Sequence, residues 1–270
     1  MRQTSLPLIL EPAELEHHLH DSNLLIVDLC NPQLYAQAHV PGAVNIAPQH
    51  LVAGTPPATG KLPPVKQLEE LFSRLGYTGN EHIVVYDDEG GGWAGRFIWT
   101  LDVIGHKNYS YLNGGIHAWL KEGYRTENEP VQAEPTRVSL SIDPSVIASK
   151  DYILTRLENA NTAIWDARSP AEYAGEKVLA LRGGHIPGAI NFEWTSAMDP
   201  ARNYRIRENL PEILAGLGMS REKDIITHCQ THHRSGFTYL VAKVLGFNSV
   251  RAYDGSWSEW GNLADTPISQ

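Results

Sequence analysis

An internal duplication constrains this chain more than any other feature of its sequence. Leu25-Ile26-Val27-Asp28, followed by His39-Val40-Pro41-Gly42-Ala43-Val44-Asn45, opens the first half. The second half answers with Ala163-Ile164-Trp165-Asp166 and then His185-Ile186-Pro187-Gly188-Ala189-Ile190-Asn191, this last segment 146 residues beyond its counterpart. His82–Asp87 aligns with Asp224–Cys229, and Leu75-Gly76-Tyr77 with Leu217-Gly218-Met219, both at an offset of 142. Asn113-Gly114 with Trp119 returns as Asp254-Gly255 with Trp260 at 141. Anchors in one order at nearly one spacing mark a duplicated domain, and the period is too long for a solenoid array. The 270 residues are therefore expected to form two homologous domains, 1–126 and 139–270. The segment between them, 127–138, is polar, proline-punctuated and without periodicity, and reads as a linker.

Within each copy, short β-branched apolar runs have strand length: Leu24–Leu29 and Ile83–Tyr86, then Ala163–Ala167 and Ile225–His228. Helix-like stretches lie between them. Val65, Leu68, Leu71, Phe72 and Leu75 fall near helical spacing, as do Phe237, Leu240, Val241, Val244 and Leu245, with Gly246 where a helix C′ residue belongs. Strands alternating with helices give an α/β fold, here two tandem domains, each a mostly parallel sheet flanked by helices. The balance of 22 Lys+Arg against 31 Asp+Glu, a net charge of −9, argues against nucleic acid or an anionic membrane as partner. No apolar run is long enough to span a bilayer, and the N-terminus does not read as a secretory signal. Only two cysteines, Cys30 and Cys229, occur in the chain. Their scarcity fits a reducing cytoplasm, although a single disulfide between them is compatible with the count.

The chemistry concentrates at Cys229. In an open α/β sheet, ligands bind beyond the carboxyl ends of the strands, and Cys229 directly follows such a run. The loop Cys229-Gln230-Thr231-His232-His233-Arg234-Ser235-Gly236 then feeds a helix. A strand–loop–helix turn gathers backbone N–H groups around the cysteine sulfur, and the helix N-terminus adds positive potential. Arg234 and any protonated His232 or His233 push the same way. No Asp or Glu occurs from Ile225 to Tyr253. This surrounding favours a thiolate nucleophile over an inert buried thiol. Copy one provides an internal control. Asp87 stands in the place of Cys229 and opens Asp87-Asp88-Glu89-Gly90-Gly91-Gly92-Trp93-Ala94-Gly95, an acidic loop one residue longer, with no sulfur nucleophile. It reads as catalytically silent.

Asp166-Ala167-Arg168, Gly184-His185-Ile186-Pro187-Gly188-Ala189 and the Cys229–Arg234 loop together resemble the tandem rhodaneses, thiosulfate sulfurtransferases with an inactive N-terminal and an active C-terminal domain. The likeness covers both halves and is greatest to the bacterial subgroup with a Cys-Gln-Thr-His-His-Arg loop. It implies that Cys229 takes the sulfane sulfur of a donor as a persulfide and hands it, in a ping-pong cycle, to cyanide or a thiol acceptor, small or carried by a thioredoxin-like protein. Neither step calls for a metal or organic cofactor. Where mammalian-type members carry further cationic thiosulfate contacts, this chain has Thr231 and Pro187, so thiosulfate as donor is less firmly implied than sulfur transfer. Two alternatives stay open. His228-Cys229 with Arg234-Ser235 resembles the signature of cysteine phosphatases, but only four residues separate Cys229 from Arg234, where those loops have five. A non-enzymatic persulfide carrier or interaction module needs the same loop.

Around Cys229, the candidate substrate-binding residues are Arg234, Gln230, Thr231, His232, His233 and Ser235. Trp194 and Arg182 belong to segments near a copy-two insertion (175–183) and are expected to line the interdomain cleft, one as an apolar wall and one as an anion contact. Asp166 and Arg168, with Glu172 one turn on, read as a structural ion-pair group supporting the loop. His185, paired with His39 of the silent copy, reads as structural, and Cys30 as a buried structural thiol. Adjacent His232 and His233 cannot readily face one ion, so no metal site is expected. Arg96 and Trp93 are expected to pack at the domain interface.

Overall fold

A computed structural model describes residues 6–270. The first sheet contains β1 (Ile9–Leu10), β2 (Leu24–Asp28), β3 (Val44–Asn45), β4 (His82–Tyr86) and β5 (Tyr109–Leu112), in the order β1-β5-β4-β2-β3 and parallel throughout. Helices α1 (Pro12–His18), α2 (Pro32–Tyr35), α3 (Val65–Arg74), α4 (Gly92–Val103) and α5 (Gly115–Lys121) connect and cover it. The second domain repeats the plan with β6 (Thr162–Asp166), β7 (Ile190–Asn191), a short antiparallel hairpin of β8 (Met198–Asp199) and β9 (Arg205–Ile206), β10 (Asp224–His228) and β11 (Ser249–Ala252). Its main sheet runs β11-β10-β6-β7, again parallel. The counterpart of β1 is reduced to one parallel bridge, Ile147 to Ala252. Helices α6 (Lys150–Leu154), α7 (Pro170–Tyr173), α8 (Leu210–Gly216), α9 (Arg234–Val244) and α10 (Ser256–Trp260) complete it.

The strand period of two sorts the core into faces. Val27, Ile83 and Val85 point inward to α3 and α4, whereas Ile26, Val84 and Tyr86 point outward to Leu15, Ile116 and Trp119 of α1 and α5. Copy two does likewise, with Ala163, Trp165 and Ile225 inward and Ile164 and Ile226 outward against Trp257 and Trp260. The two inward faces share one apolar cluster, joined where α4 packs on α9. The predicted 65–75 helix is seen as α3, and Gly246 closes α9 with φ +73° as a C′ residue does.

Residues 130–143 have no regular structure and are strapped to the first domain. The Val131 N–H donates to the Tyr35 hydroxyl (2.9 Å), the Thr136 hydroxyl to the Tyr77 carbonyl (2.6 Å), and the Leu140 N–H to Glu69 (3.0 Å). Glu127 bridges His39. Other contacts bind the domains directly. Buried Asp102 of α4 receives Lys243 and the Tyr239 hydroxyl (2.8 Å) of α9, and the Ile206 N–H donates to Asn113 (3.0 Å).

The repeated His-x-Pro-Gly-Ala segments are structural twins. His39 stacks on Tyr35 at 3.9 Å and His185 on Tyr173 at 3.7 Å, each ring nitrogen Nδ1 meeting that tyrosine's carbonyl. Each tyrosine hydroxyl then donates to the alanine carbonyl of the segment, Ala43 or Ala189. Gly42 and Gly188 both turn at φ +76°, a conformation that costs glycine nothing.

Candidate active site

β10 lies between β6 and β11, and Cys229 is the first residue beyond its carboxyl end. His232 takes the left-handed φ of +55°, where the silent loop has Gly91 at +104°. The chain thereby folds back, and the N–H groups of Thr231 and Ser235, with the Ser235 hydroxyl, face the Cys229 sulfur and favour its thiolate. Cys229 is 1% exposed. Burial alone would push its thiol up, but the Arg234 charge and these three donors together outweigh burial, so the thiol lies below its ordinary value. His232 Nδ1 sits 2.7 Å from the Ser235 oxygen. Burial first, then the Arg96 charge, hold this imidazole well below its usual value and therefore neutral. For the serine hydroxyl to donate to sulfur, Nδ1 must carry the ring proton and donate to Oγ.

Arg234 opens α9 and is clamped in two-point fashion by Glu172 of α7, Nη1 to Oε2 at 2.7 Å and Nη2 to Oε1 at 2.8 Å. Burial would raise the Glu172 carboxyl, but Arg234 first and the Ser169 capping box second bring it down to about 2. The expectation that Glu172 joins the Asp166–Arg168 pair is thus corrected. Ser169 caps α7 and turns the carboxylate toward the active loop. Asp166 and Arg168 form their own buried pair (2.6 Å), with Arg168 also donating to the Gly184 carbonyl (2.9 Å) and lying 4.3 Å above the Trp257 ring. This pair braces the strand end beneath the loop. His228 Nε2 approaches Asp166 at 3.5 Å, but burial lowers this histidine to about 4.

The rest of the loop is held by its neighbours. The Gln230 amide donates to the Leu179 carbonyl of the insertion (3.0 Å). Thr231 abuts Gly60 of the first domain so tightly that a β-carbon there would lie 2.0 Å from the Thr231 oxygen. His233 points away from the sulfur toward the silent loop, with Nε2 2.7 Å from Glu89 and its ring stacked on Trp93 at 4.3 Å. Trp194 stands at the same seam, 5.6 Å from the His233 ring and 6.4 Å from Phe237. His228, His232 and His233 thus turn to three different partners. Arg182 is not the anion contact expected from the sequence. Its guanidinium donates to the carbonyls of Trp260, Leu263 and Thr266 and to the Thr266 hydroxyl, tying down the C-terminal segment. A run of free carbonyls after a short helix satisfies an arginine without any ligand.

The silent loop reveals what such a turn is built to hold. The Asp87 carboxylate accepts the N–H groups of Glu89 (3.1 Å), Gly91 (2.8 Å) and Ala94 (2.9 Å). Glu89 and Ala94 align with Thr231 and Ser235, whose amides serve the Cys229 sulfur. One cradle is filled by its own carboxylate and the other by a sulfur. Cys30, beside the silent cradle, is buried, and burial pushes its thiol far up; it forms no disulfide with Cys229.

Sequence reasoning missed two features. The Ser256 hydroxyl accepts the Cys229 N–H at 3.3 Å from a left-handed residue at the start of α10, which no motif announces. Arg96 was assigned to the interface; it is wholly buried there, and the Cys229 sulfur lies near enough to act on its charge. The signal was one charged residue in the otherwise uncharged, mostly apolar stretch 92–101.

Comparison with known proteins agrees with this geometry. The rhodanese-like domain family matches twice, at residues 11–122 and 149–263. The chain is 56% identical to a thiosulfate sulfurtransferase of Azotobacter vinelandii, over 98% of this chain and 97% of that one. It is 54% identical to a thiosulfate sulfurtransferase of Pseudomonas aeruginosa, covering 98% of each. Among solved structures, the 3-mercaptopyruvate sulfotransferase SseA from Escherichia coli superposes with a TM-score of 0.83 at 26% identity, covering 93% of this chain and 99% of that one. Both domains, the parallel sheets and the duplicated loop thus place the chain in the rhodanese family, as a member with two tandem rhodanese-like domains.

Proposed function

We propose that this protein is a thiosulfate sulfurtransferase whose nucleophile is Cys229. The observation that carries this reading is the convergence of the Thr231 and Ser235 amides and the Ser235 hydroxyl on one buried sulfur, at the position where the silent copy's amides bind a carboxylate. The Cys229 thiolate attacks the outer sulfur of thiosulfate. A sulfur–sulfur bond forms to Cys229, the bond to the sulfonate breaks, and sulfite leaves with the electron pair. The enzyme is left as a persulfide bearing one negative charge on the terminal sulfur. The amides and the Ser235 hydroxyl stabilise that charge without reorganising, and Arg234, held in place by Glu172, adds electrostatic support. Cyanide or a thiolate then attacks the terminal sulfur, forming thiocyanate or a new persulfide and returning the Cys229 thiolate. Charge balances in each half-reaction, and neither half needs a metal or organic cofactor.

The length of the loop speaks against the phosphatase alternative. Only four residues separate Cys229 from Arg234, a smaller cradle than the five-residue spacing of the cysteine phosphatases and better matched to one sulfur than to a tetrahedral phosphate. The acceptors that fit are small nucleophiles or an exposed protein thiol of thioredoxin type. Two cysteines, both free, suit the reducing cytoplasm. The test is intact-protein mass spectrometry after thiosulfate. The wild type is expected to gain about 32 Da, one persulfide sulfur, and to lose it again with cyanide. Cys229→Ala is expected to gain nothing; a loaded Cys229→Ala protein overturns the assignment.

A further inference from the structure

Arg96 comes from the copy that has no cysteine, yet it lies beside the active loop. Its backbone is where a β-carbon on Gly236 would land, 2.5 Å from the Arg96 nitrogen. The side chain is wholly buried. Nη2 donates to the Leu51 carbonyl at 2.7 Å, and the guanidinium lies 4.6 Å over the Trp99 ring, whose edge meets His232 at 4.6 Å. Nε and Nη1 have no hydrogen-bond partner.

These facts leave a charge to explain. A buried cation without a counter-ion is strongly disfavoured, so it persists only where negative charge answers it. The other wholly buried arginine, Arg168, has Asp166 at 2.6 Å, and Arg234 is matched by Glu172. Among the described residues, Arg96 has no carboxylate within ion-pair distance. The charged or titratable groups that face it are Asp254, His232 and Cys229. Asp254 acts on Arg96 first, but from beyond contact and while accepting the Leu62 N–H at 2.8 Å, and Cys229 acts second. His232 is neutral. Of the two anions, the Cys229 sulfur is the one that takes part in the reaction.

We propose that Arg96 is a positioning residue for sulfur transfer: a cation supplied by the silent domain that holds negative charge on the Cys229 sulfur, as thiolate and then as persulfide. Arg234, clamped by Glu172, acts on the sulfur from α9, and Arg96, which has no carboxylate of its own, adds a second positive charge at the loop. Burial and the opposing fields of Asp254 and Cys229 leave its own proton affinity at about 10, so it stays charged at neutral pH. The fold then gives the silent copy a reason to remain. The proposal rests on Cys229 as nucleophile, which mass loading tests separately.

The test is a pH titration of the Cys229 thiolate by its ultraviolet absorbance, without substrate. Each protein is referenced to its own Cys229→Ser counterpart. Arg96→Gln is expected to raise the midpoint by about one pH unit, a tenfold smaller thiolate fraction on the acid side, and Arg96→Lys to restore most of it. A merely structural role would lower the thermal midpoint of unfolding and leave the thiolate midpoint in place, and a folded Arg96→Gln with the wild-type midpoint overturns the proposal. The wild type supplies a second reading that does not depend on a variant folding. The Arg96 Nε–Hε resonance is expected to shift with the Cys229 titration and to stay still in Cys229→Ser. A resonance that ignores the Cys229 titration also overturns it.

Discussion

Gly95 and Gly236 meet where α4 and α9 cross, so closely that a β-carbon on Gly95 would lie 2.3 Å from the Gly236 carbonyl oxygen. Neither glycine needs a left-handed backbone; what each supplies is the missing side chain. The two occupy corresponding places in the two copies, just after the silent and the active loop. Close approach at this point lets Arg96 reach the Cys229 loop and Phe237 reach Gly91, where a β-carbon would meet its ring at 2.5 Å. The domain interface and the active loop are therefore one packing problem.

Gly236→Ala is expected to lower the unfolding free energy by about 1–3 kcal/mol, because backbone atoms on both helices cannot yield as a flexible side chain would. Gly216→Ala is the control. It lies within α8, with nothing within 4 Å of its would-be β-carbon, so helix propensity should make it neutral or stabilising by up to about 1 kcal/mol. Urea unfolding of both checks this; equal effects would mean that the crossing is looser than its geometry.

Ser235→Ala removes a hydroxyl that faces the Cys229 sulfur, favours its charged form and is itself held by His232. A donor to the charged form lowers a pKa, so its loss must raise it. A hydrogen bond to a charged group is worth about 1.5–3 kcal/mol, which places the thiolate midpoint roughly one to two units higher. The rate of Cys229 alkylation against pH reads this directly. An unmoved midpoint would leave the backbone amides and cations to account for the shift.

How much of this was legible beforehand differs by level. The duplication, the strand–helix alternation and the placing of Cys229 at a strand's carboxyl end could all be read, because each rests on local pattern: a period, a run of β-branched residues, a strand run that stops at the cysteine. The partners of the charged side chains could not. Glu172 sits near Asp166 and Arg168 in sequence, yet its carboxylate turns to Arg234, 62 positions away. Arg182 fits an anion contact by composition but meets carbonyls at the end of the chain. His233 belongs to the active loop in sequence and to the Glu89 side of the seam in space. Such pairings depend on how the two domains dock, which no local spacing encodes.

Glu172 gives an acid-stability prediction with a definite sign. Its carboxyl lies near 4.5 when unpaired and at about 2 in the folded protein. A folded value below the unfolded one adds stability that is complete above about pH 4.5 and is lost as the pH falls toward 2. The full difference amounts to about 3 kcal/mol. Unfolding free energies measured by urea at several pH values should show the wild type exceeding Glu172→Gln at pH 7 and converging on it near pH 2. A gap that does not change with pH would break the link between the clamp and acid stability.

Asp87 is the counterpart of Cys229, and its replacement tests what the silent loop does. The carboxylate is wholly buried and answers three backbone N–H groups. Asp87→Ala leaves those donors without a partner, at about 1–3 kcal/mol for each that water cannot reach. Relaxation of the loop offsets part of this, so a total loss of about 2–4 kcal/mol is expected. Burial pushes the Asp87 carboxyl up despite the amides. A neutral isostere therefore forfeits less than the charge suggests, and Asp87→Asn, which keeps one accepting oxygen, is expected to fall between wild type and Asp87→Ala. Formate is small enough for the vacated cradle and carries the same charge. Millimolar formate should raise the thermal midpoint of Asp87→Ala and leave the wild type unchanged. If Asp87→Ala is as stable as wild type and indifferent to formate, the loop does not need its anion, and the parallel drawn between the Asp87 carboxylate and the Cys229 sulfur fails with it.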